Sequence, residues 1–167
     1  KYKKYDISYQ VKKESYWFRR LRYKNYKAGN NKMKVCIVVS NFYPKISKLL
    51  IDGAISKLRK NKIYNFEIIT VPGTFEIPVV VSNIIDKYDA FIVLGCVIKG
   101  QTPHFHYLCS SVINALTNLS IRSKKPIGNG ILTCNNERQA VKRANPNLKN
   151  KGGEAANAVI SVLNIIN

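Results

Sequence analysis

Residues 91–107 read FIVLGCVIKGQTPHFHY, and the change of character at Ile98 decides the fold. Phe91 to Leu94 and Val97 to Ile98 form a run of β-branched and large apolar residues, which suits a parallel strand covered on both faces. A polar loop containing Gly100 follows at once and carries both histidines of the chain, His104 and His106. In open α/β sheets ligands sit outside the carboxyl ends of the strands, so Lys99, Gly100, Gln101, Thr102 and His104 stand where chemistry is usually placed. Gly100 allows backbone to approach a ligand closely, and amides running into a following helix favour an anion. His104, at the mouth of that helix, is then either a proton-transfer group or a capping or packed histidine.

On either side of this stretch, strand and helix patterns alternate. KVCIVVS (34–40) reads as a buried strand and ISKLLIDGAISKLRK (46–60) carries apolar residues at helical spacing. Residues 64–71 give a second strand, 75–85 a helix, 104–122 a long helix with Leu108, Val112, Leu116 and Leu119 on one face, and 126–132 a fourth strand. Residues 136–144 and 153–166 complete the series as helices, the first opened by Asn136 and Glu137. Strands alternating with helices imply right-handed crossovers and a four-stranded parallel sheet, hence a three-layer α/β domain of flavodoxin-like type.

A chain of 167 residues with 46% hydrophobic side chains can bury one proper core, so one globular domain over 33–167 is expected. The formal charge of +19 is unevenly spread: residues 1–34 hold twelve Lys and Arg against Asp6 and Glu14, leaving +9 for the remaining 133 residues. A body at +9 attracts phosphorylated metabolites as readily as polynucleotides, so no nucleic-acid partner is expected from charge alone. Residues 1–32, rich in Lys, Arg and Tyr without sustained periodicity, read as a poorly ordered, dispensable leader before Met33, the only methionine. Interleaved basic and aromatic residues, Trp17 among them, also fit an RNA-binding arm. Cys36, Cys96, Cys109 and Cys134 are widely spaced and form no C-x-x-C pair, as expected of a reduced cytoplasmic protein. No run of apolar residues is long enough to span a membrane.

The loops that follow the four strands are SNFYPK (40–45), VPGTFEIP (71–78), VIKGQTPHFH (97–106) and LTCNN (132–136), and in this fold they share one edge of the sheet. Phe42 caps the core or stacks on a planar ligand; Glu76 favours a helix dipole or receives donors from a ligand. Arg143 is a solvated charge at a helix end or a partner for a phosphate. His104, His106 and Cys109 are the rival metal-ligand set, but no third histidine supports them, and no metal is expected. Walker and dinucleotide glycine patterns are absent.

Taken together, VPGTFEIP, LGCVIKGQTPHFHY, PIGNGILT and KNKGGEAA closely resemble the 6,7-dimethyl-8-ribityllumazine synthase family of riboflavin biosynthesis, in order over about residues 34–166. The resemblance implies a cofactor-free transferase that condenses 5-amino-6-(D-ribitylamino)uracil with 3,4-dihydroxy-2-butanone 4-phosphate, releasing phosphate and water. It implies that Phe42 stacks on the pyrimidine, that Thr74, Phe75 and Glu76 contact the ribitylaminouracil, and that Cys96, Val97 and Ile98 hold the ring through backbone groups. Gln101, Thr102 and Arg143 would bind the butanone phosphate, and His104 would be the catalytic proton-transfer group. It further implies a homo-oligomer with sites between subunits, Asn129 and Lys151 coming from the neighbour, and an association with riboflavin synthase.

This chain departs from the resemblance at Lys99, where many members have Arg, and at His106, where many have an acid. Asn129 replaces an aromatic, offering hydrogen bonds in place of stacking. RANPNLKNKGG (143–153) lacks the glycine-rich turn associated with sixty-subunit capsids, so a pentamer or paired pentamers is expected. A non-catalytic flavin- or lumazine-binding relative and an RNA-binding protein acting through the leader are the alternatives from other classes.

Overall fold

A computed structural model describes residues 33–166; the expected leader lies outside the described residues. The strands are β1 (Val35–Ser40), β2 (Phe66–Val71), β3 (Ala90–Ile98) and β4 (Ile127–Cys134). The helices are α1 (Pro44–Lys60), α2 (Ile77–Ile84), α3 (His104–Ser123), α4 (Glu137–Ala144) and α5 (Lys151–Ile166). All three strand pairings are parallel and the sheet order is β2-β1-β3-β4, the doubly wound order of a flavodoxin-like domain.

The two central strands are those that read as continuous apolar runs. Every residue of β1 is buried, as are the first eight of β3, because helices cover both faces. Alternate β1 side chains feed two cores: Val35, Ile37 and Val39 meet α1, α4 and α5, while Cys36 and Val38 meet α2 and α3. Helix α5 reaches the sheet and α1 only because small residues let it. A Cβ on Gly128 would lie 2.2 Å from the Ala155 carbonyl oxygen, and one on Gly152 would lie 2.0 Å from that of Leu50.

Element bounds differ from the sequence reading at the ends. Helix α1 starts at Pro44, two residues before its first apolar position, because proline is preorganised for the first helical turn and needs no donor there. The helix expected over 75–85 is a 3₁₀ turn at Thr74–Glu76, then α2, then a second 3₁₀ turn at Ile85–Lys87. Strand β4 continues to Cys134 rather than ending at Leu132, keeping register with β3 through Ile98↔Cys134. Helix α5 begins at Lys151, where Asn150 accepts from the Gly153 amide at 3.0 Å.

Candidate active site

The carboxyl ends of β1, β2 and β3 open into a cleft of about 580 Å³, lined by Phe42 and Tyr43 after β1, Pro72 to Glu76 after β2, Cys96 to Ile98 on β3, and His104 and Leu108 on α3. The loop after β1 is fixed from below. Ser47 Oγ donates to the Ser40 carbonyl at 2.5 Å and to the Tyr43 carbonyl at 3.0 Å, and the Phe42 amide reaches Ser40 Oγ at 3.4 Å. That clamp holds Phe42 out, 68% exposed, with Tyr43 packed edge-on at a centroid distance of 5.0 Å. Phe42 therefore does not cap the core; its face is presented to the cleft and solvent.

The turn after β2 builds the opposite wall. Thr74 is buried with its methyl against β3: a Cβ on Gly95 would lie 2.5 Å from Thr74 Cγ2. Phe75 is 66% exposed, a second free aromatic face. Glu76 carries no capping hydrogen bond and folds back over Gly73, its Oε2 lying 2.8 Å from where a Gly73 Cβ would be. A carboxylate there is presented to the cleft rather than spent on the helix end.

Strand β3 supplies the floor. Cys96 is held far above the usual thiol range, at about 12, by burial first and by Cys134 and Cys109 next, so it is a neutral lining group. Beyond it, Lys99, Gly100, Gln101, Thr102 and His104 are exposed. No atom lies within 4 Å of a Cβ built on Gly100, so the protein's own packing does not require glycine there; the space is open to a ligand. His104 is the first residue of α3 and faces the cleft, while His106 donates its amide to the Pro103 carbonyl at 3.0 Å.

The structure thus brings Phe42, Thr74, Phe75, Glu76, Cys96, Val97, Ile98 and His104 together in one cleft. Gln101 and Thr102 sit at its rim without lining it. Arg143, in the last turn of α4, lies near the end of β4, where its guanidinium partly offsets the burial that raises the Cys134 thiol. Asn129 is elsewhere: it occupies the N-terminal half of β4, opposite Val93, and accepts from the Ile131 amide at 2.9 Å. Lys151 is paired with Glu154 in the first turn of α5. Within one chain neither reaches the cleft. Sequence reasoning gave no site role to Tyr43, Pro72 or Gly73 and read Leu108 only as part of a helix face; Tyr43 had a signal, its place beside Phe42 in SNFYPK. Among the described residues no group of three or more His, Cys, Asp or Glu is placed to hold a metal, so His104, His106 and Cys109 do not form such a set.

A doubly wound parallel sheet with aromatic faces, a carboxylate and an imidazole gathered at its carboxyl edge defines an α/β domain with a cleft suited to a small molecule. Comparison with known proteins gives the family: residues 32–167 match the model for 6,7-dimethyl-8-ribityllumazine synthase. Proteins of that name from Cutibacterium acnes and Bartonella tribocorum are 40% and 43% identical, over 78% and 82% of this chain and 80% and 92% of their own lengths. One from Buchnera aphidicola subsp. Baizongia pistaciae is 43% identical over 81% of this chain and 89% of its own. The chain belongs to the 6,7-dimethyl-8-ribityllumazine synthase family, transferases of riboflavin biosynthesis. No helix among the described residues is long and apolar enough to cross a membrane.

Proposed function

We propose that this chain condenses 5-amino-6-(D-ribitylamino)uracil with 3,4-dihydroxy-2-butanone 4-phosphate, releasing phosphate and water, in the penultimate step of riboflavin biosynthesis. The observation that carries this reading is the convergence on one cleft of exposed Phe42, the Glu76 carboxylate and His104 from three different elements. Phe42 offers a face to the pyrimidine, where stacking contributes about 1 kcal/mol. Glu76 accepts from ribityl hydroxyls, and the backbone of Cys96 to Ile98 supplies directional partners for the uracil edge.

In the reaction the primary amine of the substrate attacks the ketone and water leaves to give an imine; phosphate is eliminated and the resulting enol tautomerises to a ketone; the secondary amine then attacks that ketone, and a second water leaves as the ring closes. Each step moves a proton, and His104, the imidazole lining the cleft, relays them. Gln101 and Thr102, together with Arg143 from the last turn of α4, stabilise the leaving phosphate. Arg143 suits the role because a guanidinium binds phosphate bidentately. Asn129 and Lys151 complete the site from a neighbouring subunit of a pentamer or paired pentamers. The four unpaired cysteines fit a reducing cytoplasmic setting.

The test is lumazine formation followed by absorbance with both substrates. The intact protein should turn over, and His104→Ala should reduce kcat by about 10²-fold or more at unchanged melting temperature. Ligand binding without any product from the intact protein would overturn the enzymatic reading.

A further inference from the structure

We infer that Gly73 is a positioning residue for Glu76: its missing side chain leaves the space in which the Glu76 carboxylate lies, and so sets where that carboxylate meets the ribityl hydroxyls. The inference rests on the reaction proposed above. The backbone gives no reason for glycine here. Gly73 has φ −135° and ψ 175°, extended values that any residue adopts, and it caps the 3₁₀ turn at Thr74–Glu76. At a cap Ser, Asn and Asp are preferred to glycine, because their side chains accept from the amides that open the turn. What glycine supplies is room. A Cβ on Gly73 would lie 2.8 Å from Glu76 Oε2 and 3.9 Å from Glu76 Cδ, and among the described residues no other atom beyond its chain neighbours lies within 4 Å.

Filling that space forces something to move, and the surroundings decide what. The turn itself cannot retreat. Thr74 is buried with its methyl against β3, where a Cβ on Gly95 would lie 2.5 Å from Thr74 Cγ2 and 3.3 Å from Ser40 Cβ. Ile77, next after Glu76, is fully buried in the core under α2. The Glu76 backbone is thus pinned on both sides, while its carboxylate caps no helix and has no hydrogen-bond partner among the described residues. A methyl on residue 73 therefore moves the carboxylate and little else. Recognition of hydroxyls needs the acceptor at hydrogen-bond distance, so binding changes where packing does not. Gly73 and Glu76 line the same cleft, so a new methyl could also meet the ligand directly, and the experiment has to separate the two.

That experiment is a double-mutant cycle of Gly73→Ala and Glu76→Ala, read by calorimetry with 5-amino-6-(D-ribitylamino)uracil and by the KM of each substrate. Gly73→Ala should raise the Kd and KM of the ribitylaminouracil by about tenfold, with the KM of the butanone phosphate and the melting temperature unchanged. In the Glu76→Ala background the same substitution should change that Kd by less than about twofold, because no carboxylate is left to displace. An unchanged Kd in the single variant overturns the assignment. So does an equal loss in both backgrounds, which would mean that the methyl meets the ligand itself or that Gly73 acts through the fold. If the intact protein binds the ribitylaminouracil but makes no lumazine, the reaction fails and the titrations still decide the role of Gly73; an intact protein that does not bind it overturns both.

Discussion

Glu67 accepts the Tyr88 hydroxyl and, at 3.0 Å, the Lys34 ammonium, whose Nζ also lies 4.5 Å from the centre of the Tyr88 ring. The phenol first and the ammonium second hold this carboxyl below its ordinary value of 4.5. A carboxyl lowered in the folded state stabilises the fold above its unfolded pKa, and that contribution disappears as pH falls through the folded value. The melting temperature should therefore fall more steeply below about pH 4.5 for the native chain than for Glu67→Gln, by a modest amount because both partners are partly solvated. With only nine Asp and Glu in 167 residues, few other carboxylates can mask the effect. Equal slopes in melting curves from pH 3 to 6 would remove this role. The cleft at this scale was legible where residue type stands out: Phe42, Glu76 and His104, singled out just past the ends of strands, all line it. Tyr43 and Leu108 did not stand out, because whether a tyrosine or leucine turns inward or into a cleft is decided by packing, which local pattern does not encode.

The elements themselves were legible from periodicity, and their ends were not. β1 and β3 read as strands because both faces are covered, and α3 because Val112 and Leu116 recur at helical spacing into the core. The ends are set by caps and neighbours: Pro44 starts α1 ahead of its apolar pattern, and pairing with β3 carries β4 on to Cys134. The crossing of α1 and α5 was invisible for the same reason, since a glycine in sequence does not say what it lies against. Asn150 adopts φ 46°, its side chain occupies the space beside Gly53, and Gly152 rests on the Leu50 carbonyl. Gly152→Ala should cost about 1–3 kcal/mol, since the new methyl meets backbone that no side-chain rotation can move. Urea unfolding with a lower midpoint and an unchanged slope would show it. An unchanged midpoint would mean that α5 can shift outward at no cost.

For the whole molecule the decisive fact is where Asn129 is not. It sits five residues before the end of β4, roughly 16 Å from the cleft edge at about 3.3 Å per residue. Among the described residues β4 is an edge strand, and Asn129 is exposed on it although Val93, its partner across the sheet, is fully buried. A chain acting alone has no use for Asn129 in its own cleft, whereas a ring of identical chains passes each edge to the next site by a single rotation. This makes a prediction that a single-chain site cannot satisfy. Chains carrying His104→Ala and chains carrying Asn129→Arg, each inactive when pure, should regain activity when unfolded and refolded together. A site assembled from His104 of one chain and Asn129 of another is intact in about a quarter of random pairings, so recovery should approach that fraction of native turnover. Sedimentation of the mixture should then give about five or ten times the 19.0 kDa of one chain. Recovery at the level of the pure variants, in particles of that size, would place Asn129 outside the site while leaving the assembly standing.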